Sequence, residues 1–199
     1  MLERFTETLR AASEAGWLHA VQHRFVNELF AGAVPDAVMA RYLIQDHRFL
    51  DSFLILLGAA LASADTFAAR LRFGRFIGMV SAEENTYFLR AFEALGITET
   101  RRAAMRPRLV AEWLYLDWAS RAPQPLPNNF GHAECITLHD NPNFRGFVEF
   151  LRTELDRVGG ARRSVPRHLF SRCDARTLLF RSRLCDLSSP EDLSTAQAE

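Results

Sequence analysis

The sequence predicts an all-α fold, on three observations. Apolar residues recur at the i, i+3, i+4 spacing of a buried helical face along most of the chain. No stretch alternates with the period of two that a half-buried strand requires. The 199 residues are 48% apolar, enough to bury one core and to exclude disorder of the whole chain.

A first helix is expected from about Leu2 to Ala15, stopped by Gly16, and a second from Trp17 to Ala31, before Gly32. Pro35 stands where a first-turn proline belongs. A third helix, about Asp36 to Ala64, carries Met39, Tyr42, Leu43, Phe49, Leu50, Phe53, Leu54 and Leu57 on one face. Asp65 is expected to cap a fourth helix, about Thr66 to Leu95, striped by Phe73, Phe76, Ile77, Val80, Tyr87, Phe88 and Ala91 and ended by Gly96. Residues 98–108 are polar and Arg-rich, Leu109 to Ser120 reads as a short aromatic helix, and Pro123, Pro125 and Pro127 make a stiff connector. Two more helices are expected, about Phe130 to His139 and Asn143 to Val158. From Gly159 onward seven Arg and five acids accompany no Trp, no Tyr and no sustained apolar period. The chain therefore reads as a helical domain, 1–158, and a divergent, poorly packed tail, 159–199.

Charge narrows the function. Twenty-four cations balance 24 carboxylates, so no single-sign field exists to gather nucleic acid or an anionic membrane. Every cation is Arg, and the absence of Lys excludes a Schiff-base lysine and a Walker-type phosphate loop. Cys135, Cys173 and Cys185 lack metal-ligand spacing and fit a reducing compartment. The N-terminus has no signal-peptide pattern, and the longest apolar run, Phe53 to Ala62, is too short to span a bilayer. A soluble, cytoplasmic chain is expected.

Acids on apolar faces are the informative anomaly. Asp46 lies between Leu43 and Phe49 on the buried stripe of the third helix, and an ionised carboxylate there costs several kcal/mol unless it is paired or shifts its pKa. It is either a structural Asp bonded to Arg or a tyrosine hydroxyl, or part of a polar cavity. Glu84 falls in line with Val80, Tyr87 and Phe88, whereas Glu83 points to the flank. Glu112, Tyr115 and Asp117 sit among Trp113, Leu114 and Trp118, so polar groups of three helices can face one interior, as bundle sites are built. Histidines offer less. His19 and His23 stand at i, i+4 but lack H-E-x-x-H, no Glu-x-x-His occurs, and surface or capping roles are expected. No Ser has a nucleophile-elbow context, and Cys135 has no local helper.

Several segments then resemble one family. His23-Arg-Phe-Val-Asn-Glu-Leu-Phe-Ala-Gly-Ala-Val-Pro and Tyr42-Leu-Ile-Gln-Asp-His-Arg-Phe-Leu-Asp-Ser-Phe resemble the opening of the TenA (thiaminase II) family. Glu84-Asn-Thr-Tyr-Phe-Leu-Arg-Ala-Phe-Glu-Ala-Leu-Gly-Ile, Ala111-Glu-Trp-Leu-Tyr-Leu-Asp-Trp-Ala and the stretch from Ile136 to Asp156 continue it in order, over about residues 3–158. The resemblance implies a haem-oxygenase-like helical bundle without haem, metal or other cofactor. It also implies a hydrolase acting on the exocyclic amine of thiamine-derived aminopyrimidines, or on thiamine itself.

On the family pattern Asp46 would hold the pyrimidine and Tyr115 would polarise or orient it. Phe49 stands where many members have tyrosine, and it would wall the pocket with Glu84, Tyr87 and Phe130. The family's cysteine nucleophile, four residues before the tyrosine, falls on Ala111, which places the chain closer to the branch without that thiol. Glu112 would then assist water, with Glu84 beside it. The resemblance also implies homo-oligomers, whose contacts would cover the apolar face left by a missing helix after Ile97.

Three readings stay open: a working aminopyrimidine hydrolase, a defective descendant that only binds pyrimidine, and a helical interaction module with structural acids. The family's last helix, with its proton-transferring glutamate, has no counterpart in 159–199. Under one choice of codons, the stretch from Arg172 to Asp186 read one base later gives Ala-Val-Thr-Leu-Glu-Leu-Cys-Phe-Phe-Asp-Arg-Ala-Tyr-Ala, which matches it. A frameshift between about Val158 and His168 is therefore expected, against a genuinely divergent tail. Sequencing the gene tests this: an alternative frame encoding that helix is the expected result, and its absence rejects the frameshift.

Overall fold

The computed structural model describes residues 4–103 and 112–159, without the side chains of residues 112, 158 and 159. The described elements are helical throughout: α1 Phe5–Ala12, α2 Glu14–Val21, α3 Arg24–Phe30, α4 Asp36–Ser63, α5 Phe67–Met79, a π turn Val80–Glu84, α6 Asn85–Ala94, α7 Glu99–Ala103, α8 Glu112–Ala119, α9 Phe130–His139 and α10 Pro142–Gly159. They bury one continuous apolar cluster. The expected tail lies outside the described residues, apart from its first residue, which ends α10.

The N-terminal part is more segmented than its periodicity suggests. The break expected at Gly16 falls instead at Ser13, where the chain leaves helical dihedrals, and again at Gln22. Docking decides this. Trp17 packs edge-on against Trp113 at 4.9 Å, and its indole N–H donates to Asp117. A Cβ at Gly16 would meet nothing within 4 Å, so that glycine has no steric reason to end a helix. His23 caps α3, its Nδ1 accepting from the backbone N–H of Phe25 at 3.1 Å.

α4 forms the axis of the bundle and α5 folds back against it. Asp65 does not cap α5; Thr66 Oγ1 accepts from Ala69 N at 3.1 Å, while Asp65 takes both ends of the Arg157 guanidinium at 2.8 and 2.9 Å. The fourth expected helix is interrupted by the π turn. One extra residue per turn rotates the residues beyond it relative to an ideal helix. Glu84, the last residue of that turn and expected on the buried stripe, is only half-buried, whereas Val80, Tyr87 and Phe88 are buried. Residues 109–111 of the expected aromatic helix lie outside the described residues, and α7 is the described structure between Ile97 and Glu112.

Aromatic rings join α4, α5 and α10. Phe49 stacks on Phe53, Phe53 meets Phe76 edge-on, and Phe76 stacks on Phe147. Glycines close two helices in the same way: the N–H of Ala33 reaches Glu28 O and that of Ile97 reaches Phe92 O, with Gly32 at φ 65° and Gly96 at φ 60°. Their surroundings differ. A Cβ at Gly32 would lie 2.9 Å from Pro127 Cβ, and one at Gly96 would meet nothing.

This contrast is testable in urea titrations. Gly96→Ala costs about 1 kcal/mol from backbone strain alone. Gly32→Ala costs roughly 1–3 kcal/mol more, because Pro127 must also move. Equal losses would show that the Gly32 and Pro127 contact is not tight.

Candidate active site

Asp46 lies in the middle of α4, flanked on its own face by Leu43 and Leu50, and is 6% exposed. Its partners come from two helices. Tyr115 of α8 donates its hydroxyl proton to Asp46 Oδ1 at 2.9 Å. Tyr42, one turn earlier on α4, donates to the Tyr115 hydroxyl at 3.4 Å and acts on the carboxyl's pKa from close by. Among the described residues no cation forms an ion pair with Asp46. Burial pushes the carboxyl up to about 6, against the opposing effect of the Tyr115 and Tyr42 hydroxyls. Burial, with the nearby carboxylate, also holds Tyr42 well above its ordinary range, so this phenol stays a donor.

α9 brings in groups that sequence reasoning missed. The Cys135 side chain is fully buried, with the Tyr42 and Tyr87 hydroxyls as hydrogen-bond partners. Burial and then the Asp46 charge push its thiol up to about 12, so it remains protonated. One turn on, His139 stacks on Tyr115 with ring centroids 4.2 Å apart. Its Nδ1 lies 2.7 Å from the Cys135 carbonyl oxygen, and burial lowers its pKa to about 4. Since a carbonyl only accepts, the neutral ring carries its proton on Nδ1. The i, i+4 spacings of Tyr42 to Asp46 and Cys135 to His139 were the available signals; the approach of α4 to α9 left none.

The remaining expected residues divide. Tyr87 is buried, donates to Gly131 O at 2.8 Å and reaches the cluster through Cys135. Phe130, half-buried and 6.2 Å from the Tyr87 ring, sits behind it under the Arg90 guanidinium. Phe49 is buried one turn after Asp46, stacked on Phe53. Glu84 is half-buried, and its charge acts on the Cys135 thiol. Glu112 begins α8, one turn before Tyr115, and its side chain lies outside the described residues, as does Ala111. The arrangement offers a carboxyl titrating near neutrality, phenol donors and aromatic walls. It suits a small planar ligand with both hydrogen-bond donors and acceptors.

Comparisons with known proteins agree with this bundle. A family model described as the TENA/THI-4/PQQC family matches residues 10–126. Among solved structures, a TenA family transcription regulator from Silicibacter sp. TM1040 is similar with a TM-score of 0.74 and 21% identity, over 92% of this chain and 96% of that one. A TenA homologue protein from P. horikoshii OT3 is similar with a TM-score of 0.77 and 18% identity, over 92% and 98%. No curated protein matches the chain. The fold is thus the haem-oxygenase-like all-α bundle of these homologues.

The raised Asp46 pKa fixes a sign. The native state holds this proton more tightly than the unfolded chain, so stability falls as pH rises from the ordinary value of 3.8 through about 6 and stays reduced above it. Asp46→Asn, which keeps an acceptor for Tyr115 without the charge, should stabilise the protein at pH 7.5 by a few kcal/mol, on the order of 3. The gain should vanish below pH 4. Melting temperatures of both forms across that range check it, and a variant less stable at pH 7.5 would contradict the burial cost.

Proposed function

The chain belongs to the TENA/THI-4/PQQC family, and from that premise we propose that it is a thiamine-salvage hydrolase acting on thiamine-derived aminopyrimidines or on thiamine. Membership supplies the thiamine-related role at the level of the family; the reaction is our reading of the site. The observation that carries it is the buried Asp46 carboxyl, hydrogen-bonded by Tyr115 and raised to about 6. A 4-aminopyrimidine presents a ring-nitrogen acceptor beside an amine donor. A carboxylic acid matches that edge by donating to the first and accepting from the second, and a carboxylate matches the protonated ring.

The chemistry then needs an activated water. In the net reaction the methylene carbon attached to the pyrimidine gains a hydroxyl from water and loses its side-chain amine as ammonia, or its thiazole when the substrate is thiamine, while the ring amine held at Asp46 stays. Cys135, buried and protonated, supports a route without a thiolate, as does Ala111 at the position of the family's thiol. We assign water activation to Glu112 or Glu84, orientation to Tyr115, and the pocket wall to Phe49, Tyr87 and Phe130. The reading includes a homo-oligomer and a cytoplasmic location. For the described residues, no helix is long and apolar enough to cross a membrane.

Ammonia release from an aminomethyl-aminopyrimidine tests this reading. The wild-type protein should turn over, Asp46→Asn should lose at least about 100-fold in kcat/KM, and one of Glu112→Gln or Glu84→Gln should lose kcat with binding kept. Pyrimidine binding without turnover by the folded protein would favour a binding-only descendant. Neither binding nor turnover would leave a helical interaction module.

A further inference from the structure

A second concave site lies away from Asp46. The π turn, the adjoining end of α5 and the start of α10 border an open cleft of about 430 Å³, within the size range of small-molecule pockets. Its walls divide by chemistry. Met79 and the rims of Phe76 and Phe147, the pair that stacks between α5 and α10, supply an apolar floor. Arg72 and Arg75, three residues apart and therefore on one face of α5, supply two guanidinium groups. Glu83 and Asn143 are the acid and the amide on its lining.

The two arginines are not equivalent. Arg72 Nη2 donates to Gly146 O at 2.9 Å, which braces that guanidinium across to α10 and leaves its other N–H groups available. Arg75 is exposed and makes no hydrogen bond or ion pair with any described residue. Glu83, also on the cavity, is not in an ion pair with Arg75. A Cβ at Gly78, between floor and rim, would meet nothing within 4 Å, so the wall there is backbone facing open space. One braced and one uncommitted fork above an aromatic floor fit a ligand with an anionic head and a flat apolar body.

We propose that this cavity binds an aromatic phosphate monoester. The phosphate sits between Arg72 and Arg75, and the ring lies on Met79 and the edges of Phe76 and Phe147. Two forked cations, with the exposed Asn143 amide also on the lining, suit a phosphate's several acceptor oxygens, and the apolar rims of Met79, Phe76 and Phe147 suit a ring better than a second charge. Glu83 weakens the site by repulsion, which sets the affinity low and salt-dependent. Asp46 is not on this cavity, and Phe76 of its floor is linked toward Asp46 only through Phe53 and then Phe49.

Isothermal titration of the full chain with phenyl phosphate is the test, in low salt, with circular dichroism confirming that each variant is folded. The expected result is a Kd of about 1 mM or tighter. Arg75→Gln should weaken binding about tenfold. Glu83→Gln should tighten it about threefold. Asp46→Asn should leave it unchanged. Absence of binding, equal affinity for inorganic phosphate, indifference to Arg75→Gln, or loss of binding in Asp46→Asn each overturns the assignment; the last would place the ligand at Asp46.

Discussion

A single hydrogen bond between α4 and α8 organises the site: Tyr115 donates to a carboxyl that has been taken out of water with no ion-pair partner among the described residues. Burying that group works against folding, since the charged form loses its hydration and gains only phenol partners. Tyr115 and Tyr42 offset part of the loss, and the carboxyl meets the rest by keeping its proton to a higher pH. A core built for stability alone would place Leu here. An acid kept at such a position, with its pKa moved toward neutrality, is the kind of local conflict that bundles retain for chemistry.

Packing holds that carboxyl in place. The row of rings from Phe49 through Phe53 and Phe76 to Phe147 fixes α4 against α5 and α10, and each aromatic pair contributes about 0.5–1.5 kcal/mol beyond the area it buries. The Arg157 fork on Asp65 is geometrically good but exposed, where an ion pair contributes about 0–1 kcal/mol. His139 extends the packing to the site itself, stacking under Tyr115 while its Nδ1 proton is committed to the Cys135 carbonyl. The ring that positions the donor is thereby itself oriented by a backbone bond.

Much of this was legible in the chain. The α4 stripe and the misplaced acid at Asp46 come from the 3.6-residue period, and the family resemblance added Tyr115 as a second residue facing the same ligand; that the two bond each other came from the structure. The end of α6 at Gly96 was readable because only a residue tolerant of positive φ closes that motif. The π turn was not readable: Val80, Tyr87 and Phe88 fit an uninterrupted stripe, so Glu84 looked buried when it is half-exposed. The break at Ser13 was hidden for a similar reason, since the anchor that turns the chain is Trp113, far away in sequence.

By itself, then, the sequence determined the helical class, the family and the residue whose burial is anomalous. These rest on local periodicity and on residue types, which need no knowledge of which helices meet. Only the tertiary structure decided that Cys135, Tyr42 and His139 join Asp46 and Tyr115, that the thiol stays protonated, and that Arg72 and Arg75 line one cavity with Phe76 and Phe147. Proximity between helices and the removal of water at their contact set those properties, and neither is encoded at any one position of the chain.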